Sequence, residues 1–132
     1  MFDDDDDAVR RFAAACRLGT GAALRAALYA DAVAVCDSGG GAPAALGPVS
    51  GADDVAELVA ALLCGQPDTE MTVEAVNGQA GLALWRGNRA LAVVAVRTID
   101  ATVAALWIVL NPDKLRGWQR RKGPRAGALS EE

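Results

Sequence analysis

Apolar positions in the first third of the chain recur at helical spacing. From Asp7, the set Val9, Phe12, Ala13 and Cys16 falls at i, i+3, i+4 and i+7, which predicts a helix laying one face on a core. The aspartates just ahead of it can cap the first turn and favour its positive dipole end. Gly19, Thr20 and Gly21 break this helix, and Thr20 can cap a second, shorter one running to about Leu28. Val33 to Cys36 then reads as a short strand, ended by Asp37, Ser38 and the loop glycines Gly39, Gly40 and Gly41. After Pro48, Ser50 stands three residues ahead of Asp53 as a capping pair. Val55, Leu58, Val59 and Leu62 continue at helical spacing to a stop near Cys64 and Gly65.

The remaining chain changes period. Met71, Val73 and Ala75 alternate with Glu70, Thr72 and Glu74, the pattern of a strand with one wet face. Asn77-Gly78 is a hairpin signal. Ala80 to Arg86, Arg89 to Arg97 and Ala101 to Leu110 follow as strands, separated by Gly87-Asn88 and by a turn over Thr98 to Asp100. The later strands are apolar on both faces: Leu91, Val93 and Ala95 on one, Ala92, Val94 and Val96 on the other. Helices can cover one face of such a meander, so the other is expected to meet a second copy of the protein as a homodimer. The order is ααβαββββ, an α+β domain with helices packed on a curved, mainly antiparallel sheet. The domain is expected over residues 7–115. An acidic segment (1–6) precedes it, and a flexible tail (116–132), basic and then acidic, follows.

Composition narrows the function classes. The 132 residues are one domain's worth of sequence, 52% hydrophobic and 23% charged, which predicts a compact core. No apolar run approaches the ~20 residues that span a bilayer, so no membrane segment is expected. The acidic start is the opposite of a basic secretory leader, which points to the cytoplasm. A net charge of −4 gives no general pull toward nucleic acid, so specific DNA binding by the chain itself is not expected. Cys16, Cys36 and Cys64 are odd in number and widely spaced. They fit neither a disulfide framework nor paired zinc ligands and read as small, reduced core residues. The sequence has no histidine, which removes Ser-His-Asp and Cys-His nucleophiles and the usual catalytic zinc sites; no metal and no cofactor is expected. The glycines at 39–41 lack the Gly-Lys-Ser/Thr of a nucleotide loop.

The element order, together with a set of short motifs, resembles the SnoaL-like (nuclear transport factor 2-like) cone, also called cystatin-like. More particularly it resembles the SnoaL-like domain at the C-terminus of extracytoplasmic-function sigma factors. The motifs run in order from Phe12 to Leu115: Arg11-Phe12; Asp37-Ser38-Gly39-Gly40-Gly41 followed by Pro43-Ala44-Ala45-Leu46; Gly51-Ala52-Asp53; Val76-Asn77-Gly78-Gln79; and Asn111-Pro112-Asp113-Lys114-Leu115. The last is the most specific. Gly41 and Gly47 stand where the family usually carries a lysine and an arginine. The sigma regions that bind DNA are not in this sequence, and a chain without them is not expected to recognise a promoter.

The resemblance implies a non-enzymatic ligand-sensing or protein-contact module linked to sigma-factor-type transcription regulation, with a small apolar ligand or a protein of the transcription machinery as partner. The contact residues it suggests are Asp37, Gly39, Gly40, Asn111, Pro112, Asp113, Lys114 and Leu115. The alternative it implies is a cofactor-independent isomerase or cyclase acting on an apolar molecule, since catalytic members of the fold use a carboxylate base with a Tyr or acid donor. The candidates here are Asp31, Asp37 and Tyr29, although Asp31 also reads as a turn residue and Asp37 as an Asx-type turn anchor. Trp85, Trp107 and Tyr29 are the candidate ligand-lining residues; for both tryptophans core or interface packing is the competing reading.

Overall fold

The computed structural model describes residues 4–37, 48–110 and 112–118. Gly39, Gly40, Asn111 and the tail after Trp118 lie outside the described residues. Helix α1 (Asp4–Leu18) starts inside the aspartate run, three residues earlier than the expected start at Asp7, where acidic residues favour the positive helix end. It buries Val9, Phe12, Ala13 and Cys16 as expected. Helix α2 (Gly21–Ala27) opens on Thr20, whose Oγ1 accepts a hydrogen bond from the Ala23 amide at 3.2 Å. Leu24 is its fully buried anchor.

Strand β1 (Leu28–Asp37) begins at once, so Tyr29 and Asp31 lie on a strand and Asp31 is not a turn residue. The two-residue β2 (Val49–Ser50) pairs antiparallel with it and takes Ser50 into the sheet. The cap of α3 (Ala52–Leu63) is therefore Gly51 with no side-chain cap bond, a correction to the expected Ser50. Gly51 has φ +95°, conformational space that a side chain would strain, and its amide reaches the Ala32 carbonyl at 2.8 Å.

Strands β3 (Glu70–Val76), β4 (Gln79–Arg86), β5 (Arg89–Ile99) and β6 (Thr102–Val109) form the meander. Asn77 and Gly78 both have positive φ, as a type I′ hairpin requires. The last turn falls on Asp100 and Ala101, also at positive φ, a little later than the pattern suggested. A short helix, α4 (Pro112–Leu115), follows. The sheet order is β2-β1-β6-β5-β4-β3, all antiparallel except β1 against β6, which run parallel. β1 pairs with β6 only after the chain has passed through α3 and the whole meander.

One face of the sheet carries the main core. Ala32, Ala34, Leu82, Leu84, Ala92, Val94, Val96, Leu106 and Ile108 meet Val9, Phe12, Leu24, Val55 and Val59 from the helices. The opposite face was expected to meet a second copy. Its β4–β5 end is covered by the chain's own C-terminal segment, where Leu115 and Trp118 pack on Ala83, Trp85, Ala90 and Val93. Farther across that face Val35, Trp107 and Ala95 stand in one register row, and Trp107 is 53% exposed. Among the described residues no helix is long and apolar enough to cross a membrane.

Candidate functional site

β1 and β6 end side by side. Asp37 pairs with Val109, and the Leu110 amide donates to the Asp37 carbonyl at 2.7 Å. Pro112 cannot donate to a sheet ladder, so the chain turns there into α4. That turn carries Lys114 back over β1, where its Nζ donates to Asp37 Oδ2 at 2.6 Å. The lysine side chain is 61% exposed and the aspartate 22%, so the pair is worth about 0–1 kcal/mol and acts mainly as a positional brace.

One residue on, Leu115 is buried against the outer face, and the Trp118 amide closes the turn onto the Leu115 carbonyl at 3.0 Å. The Trp118 ring tilts on Trp85 with centroids 6.5 Å apart and planes at 55°, within the range in which aromatic pairs attract. Trp85 is 2% exposed, and its indole N–H is satisfied: it donates to Thr72 Oγ1 at 2.8 Å, and that hydroxyl donates to Glu74 Oε2 at 2.6 Å. The wet face expected of β3 thus anchors a buried tryptophan. Beside this cluster lies a hollow of about 720 Å³ with Asn88, Arg89, Leu91, Leu110, Arg116 and Trp118 in its wall. That wall is part apolar, from Leu91, Leu110 and Trp118, and part basic, from Arg89 and Arg116.

The structure therefore joins three of the expected contact residues, Asp37, Lys114 and Leu115, from distant parts of the sequence. Pro112 and Asp113 form the first turn of α4. The enzyme candidates are not joined in the same way. Asp31 is exposed near the start of β1, Asp37 is tied to Lys114 at its far end, and Tyr29 packs half-buried against the main core. Among the described residues no carboxylate is buried. Trp85 and Trp107 lie on the outer face, away from the space between sheet and helices, which leaves Tyr29 as the one ligand candidate packed on the main core. Trp118 and Arg89 join the site without having been singled out for it, whereas Arg116 continues the motif that already pointed to a partner contact. The signal available for Trp118 was its spacing of three from Leu115, one helical step past Pro112.

Helices α1 to α3 packed on a mixed, curved six-stranded sheet define the class: the chain has the SnoaL-like, nuclear transport factor 2-like fold. The extracytoplasmic function sigma factor SigJ of Mycobacterium tuberculosis superposes on it with a TM-score of 0.65 and 28% identity, over 88% of this chain and 45% of that one. The chain thus spans less than half the length of that sigma factor. A steroid delta-isomerase from Pseudomonas aeruginosa gives a TM-score of 0.60 at 17% identity, over 87% of this chain and 85% of that one. A protein with a cystatin-like fold from Silicibacter pomeroyi gives 0.58 at 17%, over 88% and 82%. These last two likenesses concern the fold alone. No family model and no curated protein matches the sequence.

Proposed function

We propose that the chain is a non-enzymatic protein-contact module of sigma-factor-type transcription regulation, and that it engages its partner through the surface built by Asp37, Lys114, Leu115 and Trp118. The observation that carries this reading is the convergence of three of the expected contact residues, Asp37, Lys114 and Leu115, on one braced surface beside a hollow walled by Leu91, Leu110, Arg89 and Arg116. The likeness to an extracytoplasmic function sigma factor supplies the partner class. The isomerase alternative needs a carboxylate beside an apolar substrate, and the exposed Asp31 and ion-paired Asp37 argue against it.

The partner is the remainder of such a sigma factor, the part outside the region this chain matches. The test is to titrate that part of SigJ into the purified chain while following tryptophan fluorescence and heat. Saturable binding that Lys114→Glu and Trp118→Ala both abolish is the expected result. Absence of binding by the wild-type chain overturns the reading. The alternative is checked in parallel by incubating the chain with a β,γ-unsaturated steroid ketone in deuterated water; deuterium uptake lost in Asp31→Asn or Asp37→Asn would establish it instead.

A further inference from the structure

The last turn of α1 and the end of α3 meet at one edge of the core, and each brings a cysteine. Cys16 is 6% exposed; Cys64, the residue that caps α3, is half-buried. All three cysteines are free thiols. Both face a groove of about 240 Å³ whose wall also includes Arg17, Thr69, Met71 and Leu84. Arg17 is held there by a 3.0 Å hydrogen bond from its guanidinium to the Met71 carbonyl.

The two sulfurs are not equivalent. The hydrogen bond from Cys16 pulls the Cys64 thiol below its ordinary pKa, against an opposing push from burial. The same bond, followed by burial and the charge of Cys64, drives Cys16 far up, with Arg17 only partly offsetting it. Of the two, Cys64 is therefore the thiol that gives up its proton more readily.

We propose that Cys16 and Cys64 form a site of oxidative modification, at which a hydroperoxide admitted by the groove converts the two thiols into a disulfide tying the end of α1 to the end of α3. The Cys64 thiolate attacks one peroxide oxygen; the S–O bond forms, the O–O bond breaks, and the departing hydroxide takes a proton to leave as water, or as an alcohol when the peroxide is organic. Cys16 then attacks the resulting sulfenic sulfur. The S–S bond forms, the S–O bond breaks, and hydroxide leaves as water with the Cys16 proton. The two thiols lose two electrons in all, and the peroxide gains them. Cys36, on β1, is set apart from this chemistry: burial and the neighbouring Asp37 charge both push its thiol up, and the groove is lined by Cys16 and Cys64 rather than by Cys36.

The test treats the full chain with hydrogen peroxide and reads intact mass and a non-reducing peptide map. The expected product is lighter by about 2 Da, the two hydrogens lost on disulfide formation, with the Cys16 and Cys64 peptides linked and Cys36 still alkylatable. Dithiothreitol should restore three titratable thiols. In Cys16→Ser, dimedone should trap a sulfenic acid on Cys64, and in Cys64→Ser the adduct should be lost. If Cys16→Ser does not fold, the wild-type map and its reversal decide alone. Oxidation that reaches Cys36 first, or that gives sulfinic acids with no 16–64 link, overturns the proposal.

Discussion

Substitution of Gly81 by alanine gives a quantitative check on the packing of the meander. Gly81 is buried on β4 opposite Glu74 of β3. A methyl group built on it would stand 2.5 Å from the Val94 carbonyl oxygen, 2.6 Å from Val76 Cγ2 and 2.9 Å from Val76 Cβ. Comfortable heavy-atom contacts are about 3.5–4.0 Å, so the overlap is about 1 Å on two sides. One neighbour can adjust only by displacing a buried valine; the other is backbone inside the β4–β5 pair and cannot rotate away. Overpacking of this kind costs about 1–3 kcal/mol and sometimes more. Gly→Ala by itself returns about 0.4–1 kcal/mol by stiffening the unfolded chain, so the sign of the net effect is set by the clash. We expect a loss of about 2 kcal/mol, seen in urea as a lower midpoint with an unchanged slope, and a drop in Tm of about 5–10 °C. Adding Val76→Ala removes the overlap with Cγ2 but leaves those with the Val76 Cβ and the Val94 carbonyl, so the double variant should remain less stable than Val76→Ala alone. A Gly81→Ala protein as stable as the wild type would refute the reasoning.

Three further outcomes are expected. Ala101 sits at φ +64° in the β5–β6 turn, so Ala101→Gly should raise stability by about 1 kcal/mol, measured by urea denaturation. The row formed by Val35, Ala95 and the half-exposed Trp107 is the surface on which a second copy should dock. Light scattering at micromolar concentration should therefore give a dimer, and Trp107→Glu a monomer; a monomeric wild type counts against the homodimer. Since the Cys64 thiol is lowered by the Cys16 hydrogen bond while burial and Asp37 raise Cys36, iodoacetamide should label Cys64 at a lower pH than Cys36, as read by peptide mass spectrometry.

Periodicity made the helices and the meander legible because each buries a single stripe or an alternating face: Val9, Phe12, Ala13 and Cys16 in α1, and Leu82, Leu84, Val94 and Val96 in the sheet. Local turn chemistry made Thr20 and Asn77-Gly78 legible for the same reason, since the residues concerned are adjacent. The start of β1 was not. Leu28 to Ala32 carries alanines that suit a helix as well as a strand, and it is pairing with β6 that decides between them. The Ser50 cap failed because a two-residue pairing with β1 claims that serine first. At the site, the motifs pointed to Asp37 and Lys114 separately, but not to each other, because they are 77 residues apart and join only when β1 and β6 end together. The outer cover supplied by Leu115 and Trp118 depends on the same distant arrangement.

The parallel pairing of β1 with β6 also bears on how the protein is made. On the ribosome α1, α2 and β1 appear first, yet the long edge that receives β1 does not exist until Val109 has been added. The meander, by contrast, is built from neighbouring hairpins and can zip as it emerges. During that interval β1 holds only its two-residue partner β2, and the apolar faces of the first helices have no sheet to cover. Newly made chains are therefore most vulnerable to misassociation just before the last strand emerges. A truncation ending before β6 should be captured by chaperones, whereas the full-length chain should escape them.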